Sequence, residues 1–368
     1  MRKTKEISVG NVIIGNNYPI VIQSMTNTKT SDISSTVKQI NDLANLGAQI
    51  VRLSVSDEKD ALAISEIKKH VHVPLVADIH FSYKLALLAI TSGADKIRIN
   101  PGNLGIEGIT QIVQKCKEKK IPIRIGINSG SLEKELYEKY HGVTAQALLE
   151  SMEKHIRLLE TLDFHDIVLS IKATNIKTTI EANRMIAEKF NYPIHIGLTE
   201  AGTINGGTIR SSYVLGTLLN DGIGDTIRVS LTGNPLKEIP IAKEILSMFD
   251  LYQKPTLISC PTCGRTAYHM EPIVNEIEEF LNQFNFRIKV AIMGCAVNGP
   301  GEAKDADIGV AGGKGEAILF KKGKIIKKLP ESEIITELKK EILKMNFLVL
   351  ILLFYVLTFQ LFHLQIIP

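Results

Sequence analysis

Cysteine is scarce in this chain, with four residues in 368, and three of the four crowd into one stretch. They stand as Cys260-Pro261-Thr262-Cys263, and then as Cys295 within Met-Gly-Cys-Ala-Val-Asn-Gly-Pro-Gly-Glu. Clustering at metal-ligand spacing argues against disulfides and for a metal in a reducing compartment. Cys116, alone on a lysine-rich helix, reads as inert. The chain also lacks an apolar leader: it begins Met-Arg-Lys-Thr-Lys-Glu-Ile, so a cytoplasmic protein is expected. A large excess of charge of one sign is missing too, and a net charge of +4 is too small to argue for nucleic acid. No Gly-x-Gly-x-x-Gly follows a strand and opens a helix, so nothing indicates a nucleotide domain. Gly312-Gly313-Lys314-Gly315 lacks P-loop spacing and is expected to turn a hairpin.

What is present is an ordinary globular body, 45% apolar and 22% charged, long enough for more than one core. The exception is the end. From Phe347 to Pro368 no residue is charged, a run about as long as the ~20 residues that span a bilayer. Lys339, Lys340 and Lys344 precede it and would keep the body on the cytoplasmic side. An accidental tail, such as a shifted frame of AT-rich DNA encodes, is the competing reading.

Between Pro19 and Leu231 one unit recurs, a short apolar strand followed by a longer helical segment. The expected strands are Ile20–Met25, Ile50–Val55, Leu75–Ile79, Lys96–Asn100, Ile123–Asn128, Ile167–Lys172, Ile194–Thr199 and Thr226–Ser230. Segments such as Ile33–Leu46 and Ala61–His70 carry apolar residues at a helical period. Alternating units of this kind build a parallel sheet, and eight of them predict an α/β fold, a (β/α)8 TIM barrel over residues 1–251.

The strand ends carry the chemistry. Strands buried on both faces should be Val, Ile and Leu. Here Arg52 lies inside one, and Asp78 and His80 end the next. Arg98 and Asn100, Arg124 and Asn128, Ser170 and Lys172, Thr199 and Glu200, and Arg228 and Ser230 end the others. Any one arginine could be a structural ion pair. Four arginines and a lysine converging on the C-terminal mouth predict an anion site, because a guanidinium fork matches phosphate oxygens. Five cations exceed the need of one phosphate, so a diphosphate is the natural ligand. Asp78, His80 and Glu200 are left as the acid–base candidates.

After a helix at Ala242–Phe249 and a linker at Tyr252–Pro255, a smaller α/β domain is expected over 255–343. A strand Thr256–Ser259 leads to the Cys-x-x-Cys turn, and a strand Ile288–Ile292 leads to Cys295. Three thiols do not complete a four-coordinate site. Glu302, past a Gly-Pro-Gly bend, could fold back toward the same metal. Spacing alone leaves zinc and an iron–sulfur cluster both open.

With both halves in view, the chain resembles the bacterial 4-hydroxy-3-methylbut-2-enyl diphosphate synthase family. The matching motifs include Ile22-Gln23-Ser24-Met25-Thr26, Ala77-Asp78-Ile79-His80-Phe81, Arg98-Ile99-Asn100-Pro101-Gly102-Asn103 and Arg124-Ile125-Gly126-Ile127-Asn128. Thr199-Glu200-Ala201-Gly202, the segment from Gly222 to Ser230, Cys260-Pro261-Thr262-Cys263-Gly264-Arg265 and the run from Gly294 to Glu302 complete the set. The resemblance implies a [4Fe-4S] cluster on Cys260, Cys263, Cys295 and Glu302. It implies a cyclic diphosphate of methylerythritol held by Arg52, Arg98, Arg124, Lys172, Arg228 and Ser230. It implies a two-electron reductive ring opening with loss of water, fed by flavodoxin or ferredoxin. It also implies a homodimer in which one subunit's cluster domain closes over the other's barrel, and the short linker fits that arrangement. Glu200 is then the expected proton donor to the departing hydroxyl. The family does not normally end in an uncharged apolar run, so 347–368 falls outside the resemblance. The rivals are a non-redox phosphate-binding barrel lyase with a zinc-stapled second domain, and a membrane-anchored iron–sulfur carrier. The second leaves the arginine cup unexplained.

Overall fold

A computed structural model describes residues 1–295, 301, 303–313 and 315–345. The chain divides into two compact units, Met1–Tyr252 and a second that begins at Gln253. The tail over 347–368 and the ligand candidate Glu302 lie outside the described residues. Among the described residues, no helix is long and apolar enough to cross a membrane.

The first unit opens with an antiparallel hairpin, β1 (Ile7–Val9) and β2 (Val12–Ile14). Eight parallel strands follow: β3 (Val21–Met25), β4 (Ile50–Ser54), β5 (Leu75–Asp78), β6 (Lys96–Ile99), β7 (Ile123–Asn128), β8 (Ile167–Lys172), β9 (His195–Ile196) and β10 (Thr226–Ile227). Their order is β8-β7-β6-β5-β4-β3-β10-β9, and a parallel bridge from Leu169 to Ile194 joins the two ends into a barrel. All eight expected strands are present. The last two are shorter than expected, with two residues each.

A period of two sorts the strand residues. Ile97, Ile99, Ile123, Ile125, Ile127, Leu169 and Ile171 pack outward against the surrounding helices in one large apolar core. Their neighbours Lys96, Arg98, Arg124, Ser170 and Lys172 face the axis and are buried there. Near the N-terminal ends four other strand residues are apolar and meet the hairpin. Val21, Ile50, Val76 and Val168 pack with Ile7, Val9 and Ile14 of the hairpin. The hairpin, which the sequence pattern did not announce, therefore seals the bottom of a polar interior.

The helix after β10 spans Glu238–Ser247, starting four residues earlier than expected. Pro240 sits in its first turn, where the missing N–H has no intrahelical partner to lose. That early start carries Glu238 back toward the barrel.

The second unit is a five-stranded sheet in sequence order: β11 (Thr256–Ser259), β12 (Lys289–Met293), β13 (Ile308–Gly312), β14 (Glu316–Lys321) and β15 (Lys324–Pro330). The first three are parallel and the last two antiparallel. The helix Met270–Leu281 and a helix over 334–345 bury Ile273, Ile277, Leu338 and Ile342 against it. The hairpin expected at Gly312–Gly315 is the β13–β14 connection, closed by the Gly313 amide donating to the Glu316 carbonyl at 2.6 Å.

Candidate active site

The C-terminal ends of the barrel strands line a cavity of about 230 Å³. Of the barrel residues expected at a site, ten line it: Arg52, Asp78, His80, Arg98, Arg124, Asn128, Lys172, Thr199, Arg228 and Ser230. Met25 and Ser170 complete the wall.

Two carboxylates organise the cations. Asp78, at the end of β5 and 2% exposed, receives Arg98 Nη1 at 3.1 Å and lies 3.6 Å from Arg52 Nε. His80 Nε2 stands 3.4 Å from the same carboxyl, with its ring half-exposed at the rim. Burial alone would raise the Asp78 pKa, but Arg52, the His80 hydrogen bond and Arg98 outweigh it. The carboxyl is held well below the usual range, and so it is ionised at neutral pH. Glu238, equally buried, takes Arg228 in a fork at 3.3 and 3.4 Å. Its remaining capacity is filled by the Ser24 hydroxyl at 3.0 Å and the Leu231 amide at 3.1 Å. The Met25 thioether accepts from Arg52 Nε at 2.9 Å and from Arg228 Nη1 at 3.5 Å.

The remaining cations have less support. Arg124 is 1% exposed, and its Nε and Nη1 have no hydrogen-bond partner among the described residues. Burial, with Arg52 and Arg98 nearby, pushes its pKa well below the ordinary value. Arg52 is pulled down to about 10, first by burial. Lys172 Nζ lies 3.3 Å from His195 Nε2. Two glycines make room for these side chains. A Cβ at Gly126 would collide with Arg98 Nε, and one at Gly197 would sit 2.7 Å from Lys172 Nζ. Four guanidiniums and a lysine facing two carboxylates leave the cup strongly cationic, and a polyanion is the ligand that relieves it.

Two expected residues are not in the wall. Asn100 is buried, but its Oδ1 accepts from the Gly102 amide at 3.2 Å and closes its own loop. Glu200 is exposed, on the loop directly after Thr199, with φ +53°. A glutamate in left-handed backbone is uncommon, and such strain concentrates at functional loops. The loop is fixed by Arg210 donating to the Ala201 carbonyl at 2.9 Å and by Thr232 donating to the Gly202 carbonyl at 2.9 Å.

Sequence reasoning missed Glu238, Lys96 and His195. Glu238 follows Asn-Pro-Leu-Lys and resembles any solvated first-turn glutamate. Lys96 and His195 did carry a signal, since each occupies an inward position of an alternating strand.

In the second unit, β11 and β12 are adjacent and parallel, with Ser259 opposite Ile292. Cys260 and Cys295 consequently follow neighbouring strand ends. Cys260 Sγ accepts from the Gly294 amide at 3.1 Å, and a Cβ at Gly294 would come within 3.4 Å of that sulfur. Cys263 is exposed on the intervening turn. Among the described residues, no group of three His, Cys, Asp or Glu side chains is gathered at metal-binding distance. In the first unit, a wider depression of about 630 Å³ near Met1 and Arg2 is an open surface feature that no residue of the arginine cup lines.

Comparison with known proteins agrees with this division. The GcpE TIM-barrel domain matches residues 4–243, and the GcpE protein C-terminal domain matches residues 256–344. A protein of Ruminiclostridium cellulolyticum named 4-hydroxy-3-methylbut-2-en-1-yl diphosphate synthase (flavodoxin) is 54% identical over 345 residues, covering 93% of this chain and 98% of its own. A protein of the same name from Fusobacterium nucleatum is 55% identical over 343 residues, covering 93% and 97%. A solved dihydropteroate synthase from Stenotrophomonas maltophilia has a TM-score of 0.51 at 11% identity over 67% of this chain and 97% of its own, a likeness of fold alone. The chain belongs to the GcpE family.

Proposed function

We propose that the arginine cup holds the diphosphate of 2-C-methyl-D-erythritol 2,4-cyclodiphosphate while two electrons open the ring and one hydroxyl leaves as water. The chain is an oxidoreductase of isoprenoid biosynthesis. It makes 4-hydroxy-3-methylbut-2-enyl diphosphate with electrons from flavodoxin. The observation that carries the site assignment is the set of four arginines and Lys172 around one small cavity. When the ring opens, one phosphate loses its carbon ester, becomes the terminal group of the diphosphate and gains negative charge. Guanidiniums already oriented by Asp78 and Glu238 offset that charge without rearranging. Asp78, ionised and shared by Arg52, Arg98 and His80, acts here as the counter-ion that sets the two arginines. Asn128, Thr199 and Ser230 supply neutral hydrogen bonds at the rim. Asn100 contributes through its loop.

A [4Fe-4S] cluster is the electron-accepting group that fits the donor set. Cys260, Cys263, Cys295 and Glu302 would hold it, with a backbone amide already donating to the Cys260 sulfur. When bound, such a cluster would supply the two electrons one at a time. Three thiols suit iron and zinc alike, and the redox activity of the relatives favours iron. Ferredoxin is an alternative donor, and a homodimer is the assembly the resemblance favours.

Glu200, on its constrained loop, is the proposed proton donor. Two readings on one sample test the assignment: binding of the cyclodiphosphate to the oxidised protein, and its conversion when reduced flavodoxin is added. Glu200→Gln is expected to keep the first and lose the second. Undiminished conversion by the variant would remove Glu200 from the mechanism.

A further inference from the structure

Beneath the cup, Lys172, His195 and Thr226 form a hydrogen-bonded row across β8, β9 and β10. Lys172 Nζ lies 3.3 Å from His195 Nε2, and His195 Nδ1 lies 2.7 Å from Thr226 Oγ1. His195 and Thr226 are fully buried, and Lys172 is 7% exposed. One proton too many or too few decides the charge of this row. If His195 Nδ1–H donates to Thr226, Nε2 accepts from Lys172. If Thr226 donates to Nδ1, Nε2–H points at Lys172, which must then be an uncharged amine. Neither arrangement allows both to be cations.

The surroundings oppose even one charge here. Arg124 and Asn128 of β7, Arg98 and Lys96 of β6, Arg52 of β4 and Arg228 just after β10 supply only positive charge or neutral amide. The carboxylates in reach are already engaged, Asp78 of β5 by Arg52 and Arg98, and Glu238 by Arg228. Burial first, and then these cations, push both Lys172 and His195 well below their ordinary values.

Resting on the proposed placement of the diphosphate in this cup, we infer that His195 is a positioning residue for Lys172, and that ligand binding draws one proton from solvent onto the Lys172–His195 pair. The arriving anion replaces cationic repulsion with attraction, so the ammonium forms only when it has a phosphate above it and an imidazole nitrogen beside it. The sign follows. The pair's affinity for protons rises on binding, so ligand affinity is greatest at low pH and falls as pH rises.

The cyclodiphosphate is a suitable probe, because each of its phosphates is doubly substituted, by one carbon ester and the shared anhydride oxygen, and binds no proton near neutrality. Calorimetric titration of it into the oxidised full chain, without reductant, in buffers of different ionisation heat gives the proton count directly. About one proton taken up per ligand near pH 8 is expected, against about none for Lys172→Arg, whose charge is permanent. His195→Leu should bind about tenfold more weakly, with the uptake displaced to lower pH, and His195→Gln should restore much of the affinity. Binding without proton uptake in the unmodified protein overturns the inference while leaving the cup assignment intact. So does an unchanged uptake in Lys172→Arg. Absence of binding overturns both.

Discussion

Asp78→Asn is expected to unfold the barrel unit about 10 °C earlier than the unmodified chain and to lower turnover by roughly a hundredfold. The reason is charge, not shape. Asparagine can still accept a hydrogen bond from Arg98, but it leaves Arg52 and Arg98 without their nearest counter-ion in a cavity already crowded by Arg124 and Arg228. Removing one partner of a buried ion pair costs about 3–5 kcal/mol. The pH dependence carries the same signature. The folded carboxyl titrates below its unfolded value of roughly 3.9, so its contribution is complete at neutral pH and drains away only as pH falls below about 4. Scanning calorimetry at pH 7 and pH 3 should therefore find the two proteins far apart at the first and closer at the second. Equal unfolding temperatures at pH 7 would show that the cup does not depend on this carboxylate.

The second large effect separates the units. Cys263→Ser is expected to abolish conversion of the cyclodiphosphate and to remove the visible absorption and most of the iron and sulfide of anaerobically purified protein. Its binding of the cyclodiphosphate should stay within about threefold, because the cup lies wholly in the first unit. Iron content unchanged in the variant would exclude Cys263 as a ligand. A colourless, zinc-containing parent protein would exclude the cluster altogether.

How much of this was legible in the sequence depended on periodicity and on chemical oddity. The eight barrel strands stood out because Val, Ile and Leu alternated with residues that a buried parallel strand should not carry. The same oddity located the cup, since an arginine inside an apolar strand, as at Arg98 or Arg124, has few explanations. Three things were hidden. The hairpin Ile7–Ile14 is too short for a periodic signal, and its role as a seal appears only when Val21, Ile50, Val76 and Val168 are seen beneath it. Glu238 is local to a helix start in sequence and reaches Arg228 only through the fold. That His195 partners Lys172 follows from the closure of the barrel between β8 and β9, which the inward position of each residue in its own strand does not reveal. Glu200 was placed by its motif. Its strained backbone and its exposure beside the cavity are what the fold adds.

A cationic barrel mouth and a cysteine-rich sheet end are proposed to serve one reductive reaction. Incubating the anaerobically purified chain with 2-C-methyl-D-erythritol 2,4-cyclodiphosphate and reduced flavodoxin, and following both diphosphates by phosphorus NMR, tests this proposal most directly. The cyclodiphosphate signals are expected to disappear as those of 4-hydroxy-3-methylbut-2-enyl diphosphate grow in equal amount, with about two flavodoxin electrons consumed per molecule and no conversion when flavodoxin stays oxidised. Persistence of the cyclodiphosphate with a loaded cluster and fully reduced flavodoxin, or ring opening without electrons, would contradict it.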